Sequence, residues 1–288
     1  MEVVSRREES ELGSWTQLTW QPSALAGLVE YIWLFDGQLA QRRERFYPTG
    51  DLDLIVQLDA PFRVVDGDSV TDNPLTSLTG LILSPLVIET PAVRSRVLVV
   101  RLRPAGALGM FGVPLDELTG ATADLTELIG AEARRLAERL DEASSDQTRL
   151  ELVGRWITDR LADRLTGRFG TDPRVAYAVA EIERAGGRIP VASILDRIGA
   201  SPKRFTSLFE AQVGVKPKLF SRIVRFRGLA AALRDGADSF GRTAIAHGYY
   251  DQSHMNAEFR EFAGMSPSRF LAATQYPESM SLADCATD

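Results

Sequence analysis

Residues 201–220, SPKRFTSLFEAQVGVKPKLF, and residues 251–270, DQSHMNAEFREFAGMSPSRF, decide how this chain folds. At an offset of 50 residues, Phe205, Phe209, Gly214, Pro217 and Phe220 of the first meet Met255, Phe259, Gly264, Pro267 and Phe270 of the second. Ser201 and Asp251, both suited to an N-cap, share the offset. Self-similarity at this period marks a duplicated structural unit.

Each copy reads as a helix of about thirteen residues, with aromatic or Met side chains inward at i and i+4, ended by glycine and followed by a Pro-led helix. A shorter helix precedes each copy: Val191 to Ile198 before Gly199, and Phe240 to His247 before Gly248. Helix, glycine-bearing turn and second helix make a helix-turn-helix unit. Between the copies, Pro217 to Arg234 predicts one long helix of about 27 Å. Two units held by such a helix suit successive major grooves, roughly 34 Å apart. A helical repeat without nucleic acid is the alternative; Lys203, Arg204, Lys216, Lys218 and Arg222 near the helix starts argue against it.

Charge divides along the same boundary. The 288 residues carry 33 basic and 39 acidic side chains, a net of −6, which for the whole chain speaks against a polyanionic partner. Residues 1–172 carry a net of −9, residues 173–273 a net of +6 and residues 274–288 a net of −3. The only lysines, Lys203, Lys216 and Lys218, all fall in the basic segment. Such asymmetry fits nucleic-acid contact by one part of the chain, and equally a basic helical domain without a partner.

Several chemistries are excluded. The single cysteine, Cys285, permits neither a disulfide framework nor a Cys-based zinc site. The two histidines, His247 and His254, leave residues 1–246 without a His base or a His-rich metal site. No metal, no cofactor and no enzymatic activity are expected. No apolar run of membrane-spanning length occurs, the opening residues lack a signal-peptide core, and a cytoplasmic protein is expected.

The first half is β-rich. Residues 28–35 and 52–58 are β-branched and aromatic runs, the latter after the turn signal Pro48-Thr49-Gly50-Asp51. Phe62 to Val65 runs into Asp66-Gly67, a hairpin signal. Leu78 to Glu89 predicts strands broken near Ser84-Pro85, and Arg96 to Arg103 puts Leu98, Val100 and Leu102 on one face. Short strands between turn signals predict a small antiparallel barrel or sandwich. Helices follow over Glu127–Asp141 and Thr148–Leu165. The fold class is therefore α+β: a small antiparallel β barrel with helices, then an all-α domain of two helix-turn-helix units joined by a long helix. The expected division is 1–165, an effector-sensing and dimerisation domain; 166–172, a linker with Asp172 capping a helix that starts at Pro173; 173–273, the DNA-binding domain; and 274–288, a disordered acidic tail.

A barrel mouth is a common ligand site. All four tryptophans, Trp15, Trp20, Trp33 and Trp156, lie in this half, as core or ligand platform. Trp33, Arg101 and Arg103 are the pocket candidates; the two arginines either meet an anionic ligand or lie on a solvated face.

Residues 174–273 resemble the DNA-binding domain of the AraC/XylS transcription regulators. The resemblance rests on Ala244-Ile245-Ala246-His247-Gly248-Tyr249-Tyr250-Asp251-Gln252-Ser253-His254, on Phe259, and on Gly264-Met265-Ser266-Pro267-Ser268-Arg269-Phe270. The first copy matches through Gly199-Ala200-Ser201, Phe209, Gly214 and Pro217, and Arg225 matches the arginine of the family's linker helix. Pro48-Thr49-Gly50-Asp51-Leu52-Asp53-Leu54-Ile55 resembles the cupin-like sensor half of some members.

The resemblance implies base contacts from Lys203, Thr206 and Ser207 in one helix and from Gln252, Ser253, Asn256 and Ala257 in the other. It implies backbone contacts from Arg204, Lys218, Arg222, His254 and Arg260. His254 either touches DNA or fixes its helix start, and His247 reads as packing. The chain departs from the family at Ser207 and Ala257, where arginine is frequent, at Glu210, where a basic residue is usual, and at Leu195 and Met255. The function implied is a sequence-specific DNA-binding transcription regulator, controlled by a small-molecule effector in the first half and able to homodimerise. The alternative is a small-molecule binding protein with a degenerate DNA-reading face.

Overall fold

Side chains with a period of two build the first half of the chain, and a helical period builds most of the rest. The computed structural model describes residues 2–165, 170–236, 239–273 and 281–283. Ten strands come first: β1 (Val3–Ser10), β2 (Gly13–Trp20), β3 (Val29–Leu39), β4 (Arg43–Phe46), β5 (Leu52–Gln57), β6 (Arg63–Asp66), β7 (Ser69–Asp72), β8 (Thr76–Thr79), β9 (Leu86–Glu89) and β10 (Ser95–Leu102). After them come α1 (Pro104–Phe111), β11 (Thr122–Asp124), α2 (Leu125–Ile129), α3 (Ala131–Asp141) and α4 (Asp146–Leu165). The remaining helices are α5 (Pro173–Arg184), α6 (Val191–Ile198), α7 (Pro202–Val213), α8 (Pro217–Arg234), α9 (Phe240–Ala246), α10 (Gln252–Ala263) and α11 (Pro267–Ala272); β12 (Ser281–Ala283) closes the order.

The strands form two antiparallel sheets, β1-β2-β3-β10-β5-β8-β11 and β12-β4-β9-β6-β7. The single closed barrel expected from the strand run is thus corrected to two open sheets. The reason is visible at the hairpins: β1 with β2, and β6 with β7, end their sheets in tight turns, and β7 is exposed along its whole length. A strand with no face to bury recruits no neighbour to close a barrel.

Register explains why β10 sits at the centre. Leu98 lies between Leu34 and Val56, Val100 between Ile32 and Leu54, and Leu102 is opposite Leu52. All of these side chains are buried and join Met110 of α1, Leu136 and Leu140 of α3, and Leu150, Val153 and Ile157 of α4 in one core. Each such side chain contributes about 1.5–3 kcal/mol on burial. The other face of the same strands, with Trp33, Asp53, Ile55, Val97, Val99 and Arg101, turns towards the smaller sheet. The helix expected over Glu127–Asp141 is split at Gly130, whose φ of 63° lies in the left-handed region and ends α2 before α3 begins.

Asp172 caps α5 by accepting the Arg174 N–H at 2.8 Å, and Pro173 takes the first helical position. The repeat folds as two matching helix pairs. Phe205 and Phe209 of α7 and Met255 and Phe259 of α10 are buried at i and i+4. Gly214 and Gly264 end these helices at φ 98° and 67°. Asp251 caps α10 by accepting the His254 N–H at 2.7 Å, whereas Ser201 occupies the corresponding place before α7 without a side-chain cap bond.

The helical repeat is docked on the strand half. One core runs from Leu98 through Leu115 to Phe209 and Phe220. The Thr119 hydroxyl donates to the Gly214 carbonyl at 2.6 Å, and the Tyr47 ring meets Phe270 edge-on at 5.3 Å. Of the expected linker, residues 166–169 lie outside the described residues. Of the tail expected to be disordered, residues 281–283 pair as β12 with β4, and 274–280 and 284–288 lie outside the described residues. Among the described residues, no helix is long and apolar enough to cross a membrane.

Candidate functional site

Two surfaces carry chemistry. The first is the outer face of the repeat. On α7, Lys203, Arg204 and Ser207 are exposed and Thr206 is half-buried; on α10, Gln252, Ser253, His254, Ala257 and Arg260 are exposed and Asn256 is half-buried. The buried rings at i and i+4 fix which side each helix turns outward, so these residues share one free face per helix. Lys218 is exposed at the start of α8.

Arg222 is placed differently from the other backbone-contact candidates. Its Nε donates to the Glu258 carboxylate at 2.7 Å, its second nitrogen to Glu261 at 2.5 Å, and its guanidinium lies 5.1 Å from the Phe262 ring centre. Glu258 is buried and also accepts from Arg225 at 3.3 Å, while Arg225 stacks over Tyr249 at 5.0 Å. A buried carboxylate held by two guanidiniums ties α8 to α10 and fixes the second helix pair on the long helix. His254 accepts the Tyr250 N–H through Nδ1 at 3.3 Å and meets the Tyr249 ring edge-on, so it also organises the start of α10. His247 is half-buried beside Gly228; burial and the Arg188 charge push its pKa down.

The second surface is a cavity of about 360 Å³ between the two sheets. Trp33, Phe35 and Ile55 line it from the larger sheet, and Phe46, Val64 and Ile88 from the smaller one. Of the three pocket candidates, Trp33 and Arg101 line the cavity and Arg103 does not. Arg103 precedes α1 and lies 3.8 Å from Glu183. Arg101 is not on a solvated face: it donates through two nitrogens to Asp53, at 3.0 and 2.9 Å, and lies over the Tyr31 ring. Burial opposes its charge, but Asp53, Tyr31 and Asp51 outweigh that and hold it charged. Burial also pushes the Tyr31 phenol up.

Asp51 is the cavity residue that sequence reasoning missed. Its side chain is buried, and its Oδ2 accepts from Arg227 of α8 at 3.1 Å. Among the described residues its Oδ1 has no hydrogen-bond partner. Burial pushes its pKa up to about 7, against the Arg227 charge, which pulls it down. Arg227 also donates to the Thr49 carbonyl at 2.9 Å. Gly50, between them, has φ 86°, and a Cβ there would stand 3.3 Å from the Phe220 ring.

Comparison with known proteins separates the same two parts. The model of a helix-turn-helix domain matches residues 194–273. A domain of unknown function, DUF6597, matches residues 19–124, the part that supplies most of the cavity wall. Among solved structures, ToxT from Vibrio cholerae aligns at 11% identity and a TM-score of 0.47, over 84% of this chain and 97% of that one. ToxT from strain SCE256, bound to an unsaturated fatty acid, aligns at 12% and 0.46, over 83% and 93%. The AraC-like transcriptional activator CuxR aligns at 17% and 0.35, over 80% and 86%. No curated protein matches the chain.

The missed residues carried one usable signal. Pro48-Thr49-Gly50-Asp51 reads as a turn, and Asp51 is the acidic residue just before an apolar strand. Its partner, Arg227, carried none, because it lies 176 residues away in a helix where the sequence singles out only Lys218, Arg222 and Arg225 among the basic residues near its start.

Proposed function

We propose that this chain is an AraC-type transcription regulator and reads DNA with Lys203, Thr206 and Ser207 of α7 and with Gln252, Ser253, Asn256 and Ala257 of α10, a reading supported by the helix-turn-helix match over residues 194–273. Arg204, Lys218, His254 and Arg260 position the backbone. Arg222, the remaining backbone candidate, also holds the two helix pairs together through Glu258 and Glu261. The division of labour is 1–165 for sensing and dimerisation, 166–172 as linker, 173–273 for DNA and 274–288 as tail, in a cytoplasmic protein. A homodimer would double the DNA footprint, and the two sheets around the cavity act as a cupin-like sensor with α8 as the helix that links the reading units.

A small molecule in the cavity controls the reading head. The observation that carries this is the Asp51–Arg227 pair: a side chain of the cavity wall is bonded directly to the helix between the two reading units. Any occupant that changes the pairing of Asp51 changes what α8 is held by. Binding of the full chain to the DNA upstream of its own coding region, followed by fluorescence anisotropy with a salt titration, tests the reading. Affinity should fall linearly in log–log form with salt, and Asp51→Asn should shift it at least five-fold, within the usual range of a coupling energy. Salt-independent or absent binding, or an Asp51→Asn protein identical to the parent, would sink the proposal.

A further inference from the structure

The charges around the cavity are unevenly satisfied. Three carboxylates (Glu44, Asp51 and Asp53) and two guanidiniums (Arg96 and Arg101) line it. Both guanidiniums are already held through two nitrogens each, Arg101 by Asp53 and Arg96 by Asp59 at 3.0 and 3.1 Å. The three lysines of the chain lie elsewhere, in the helical repeat. The charge of each guanidinium is therefore already paired with a carboxylate before any anionic guest arrives, and the lining carboxylates outnumber the lining guanidiniums. The Asp51 Oδ1 faces the opposite situation, an acceptor buried without a donor. An orphaned acceptor of this kind is destabilising, more so when charged, until a donor reaches it. Asp51 lines the cavity, and the terminal torsion of an aspartate is soft, so its carboxylate can adjust to a donor that enters there.

The wall of the same cavity is rich in aromatic side chains. Tyr31, Trp33, Phe46 and Tyr47 line the cavity, and the face of Tyr31 already carries a guanidinium at 5.3 Å. Aromatic faces next to an acceptor with spare capacity select a cation.

We propose that the cavity takes an organic cation, an ammonium or amidinium on an aromatic or alicyclic body, whose N–H donates to Asp51. This rests on the cavity being the effector site and names the ligand class. The ligand and Arg227 then share one carboxylate. A cation on Asp51 weakens the hold of the cavity wall on α8, and the loss of Arg227 strengthens the hold on the cation.

The test uses the full chain at pH 8 and three probes on one naphthalene body: 1-naphthylmethylammonium, 1-naphthylmethanol and 1-naphthoate, titrated by calorimetry. The cation should bind at least ten-fold more tightly than the carboxylate, with the alcohol between them. Asp51→Asn should erase the preference for cation over alcohol. Arg227→Met should tighten the cation about ten-fold and leave the carboxylate no tighter, which keeps the test decisive if Asp51→Asn does not fold. Naphthoate binding as tightly as the cation, or Arg227→Met leaving the cation unchanged, overturns the ligand class while the cavity stands as an effector site. No binding by any of the three overturns both. Selective cation binding that leaves DNA affinity unmoved supports the ligand class and overturns only the control of the reading head.

Discussion

Arg227 of α8 donates to the Asp51 carboxylate at 3.1 Å across the junction between the strand half and the helical repeat, and Asp51 is almost wholly buried there. Arg227 and Arg101 favour the charged carboxylate, while burial and the neighbouring Glu30 and Asp53 disfavour it; burial prevails and the pKa rises to about 7. An acid whose folded pKa lies above its unfolded value binds more protons folded than unfolded between the two. Its contribution is thus complete below about pH 4 and is lost as pH rises through about 7. The parent should lose thermal stability relative to Asp51→Asn between pH 5.5 and pH 8. Parallel melting-temperature profiles over that range would refute the burial argument.

Glu258 offers a second check on what holds the repeat together. Glu258→Gln removes the charge that two half-buried guanidiniums share, leaving Arg222 with Glu261 alone and Arg225 over Tyr249. Removing one partner of a fully buried pair costs about 3–5 kcal/mol; with both guanidiniums in partial contact with water, about 2 kcal/mol is expected. Urea unfolding followed by circular dichroism would measure it. A change below about 0.5 kcal/mol would show that the cluster does not fix α10 on α8.

Legibility from sequence follows how local the determining physics is. The helix Pro217–Arg234 was readable to the residue because proline and the preceding glycine act within a turn of the helix end they mark. β1 and β2 were not read: β1 is exposed at six of its eight positions, so its sequence has little apolar contrast to alternate. β11, of three residues, is too short to show a period. The ties of Arg222 to Glu258 and Glu261 are hidden in the sequence because those partners come 36 and 39 residues later. Arg101 reads as a solvated strand residue because Asp53 lies 48 residues away on the neighbouring strand. The outward faces of α7 and α10 were legible because i, i+4 burial sets them locally; the cavity was legible only through Trp33 and Arg101, because two sheets paired through distant residues make the rest of it.

The reading face itself separates two kinds of contact. Gln252→Ala and Asn256→Ala should each cost about 1–3 kcal/mol on the preferred sequence and little on unrelated DNA. Arg260→Ala should weaken binding to both by a similar factor and lower the salt slope by about one. Anisotropy titrations on the two DNAs at several salt concentrations distinguish them. Equal losses on both DNAs for Gln252→Ala would remove it from the base-reading set.

Ser207 and Ala257 are exposed, and each stands on the outward face of its helix, where a longer side chain meets no neighbour in the buried core. Short side chains there leave the grooves without a guanidinium that could reach a guanine edge or a phosphate. Ser207→Arg and Ala257→Arg should therefore keep the fold, change melting by no more than a surface substitution does, and strengthen DNA binding. Each added phosphate contact should steepen the salt slope by about one, and a gain confined to particular sequences would mark a base contact instead. If neither variant alters affinity or slope at low salt, then α7 and α10 do not present these positions to DNA, and the face assigned to them from the burial of Phe205, Phe209, Met255 and Phe259 is wrong.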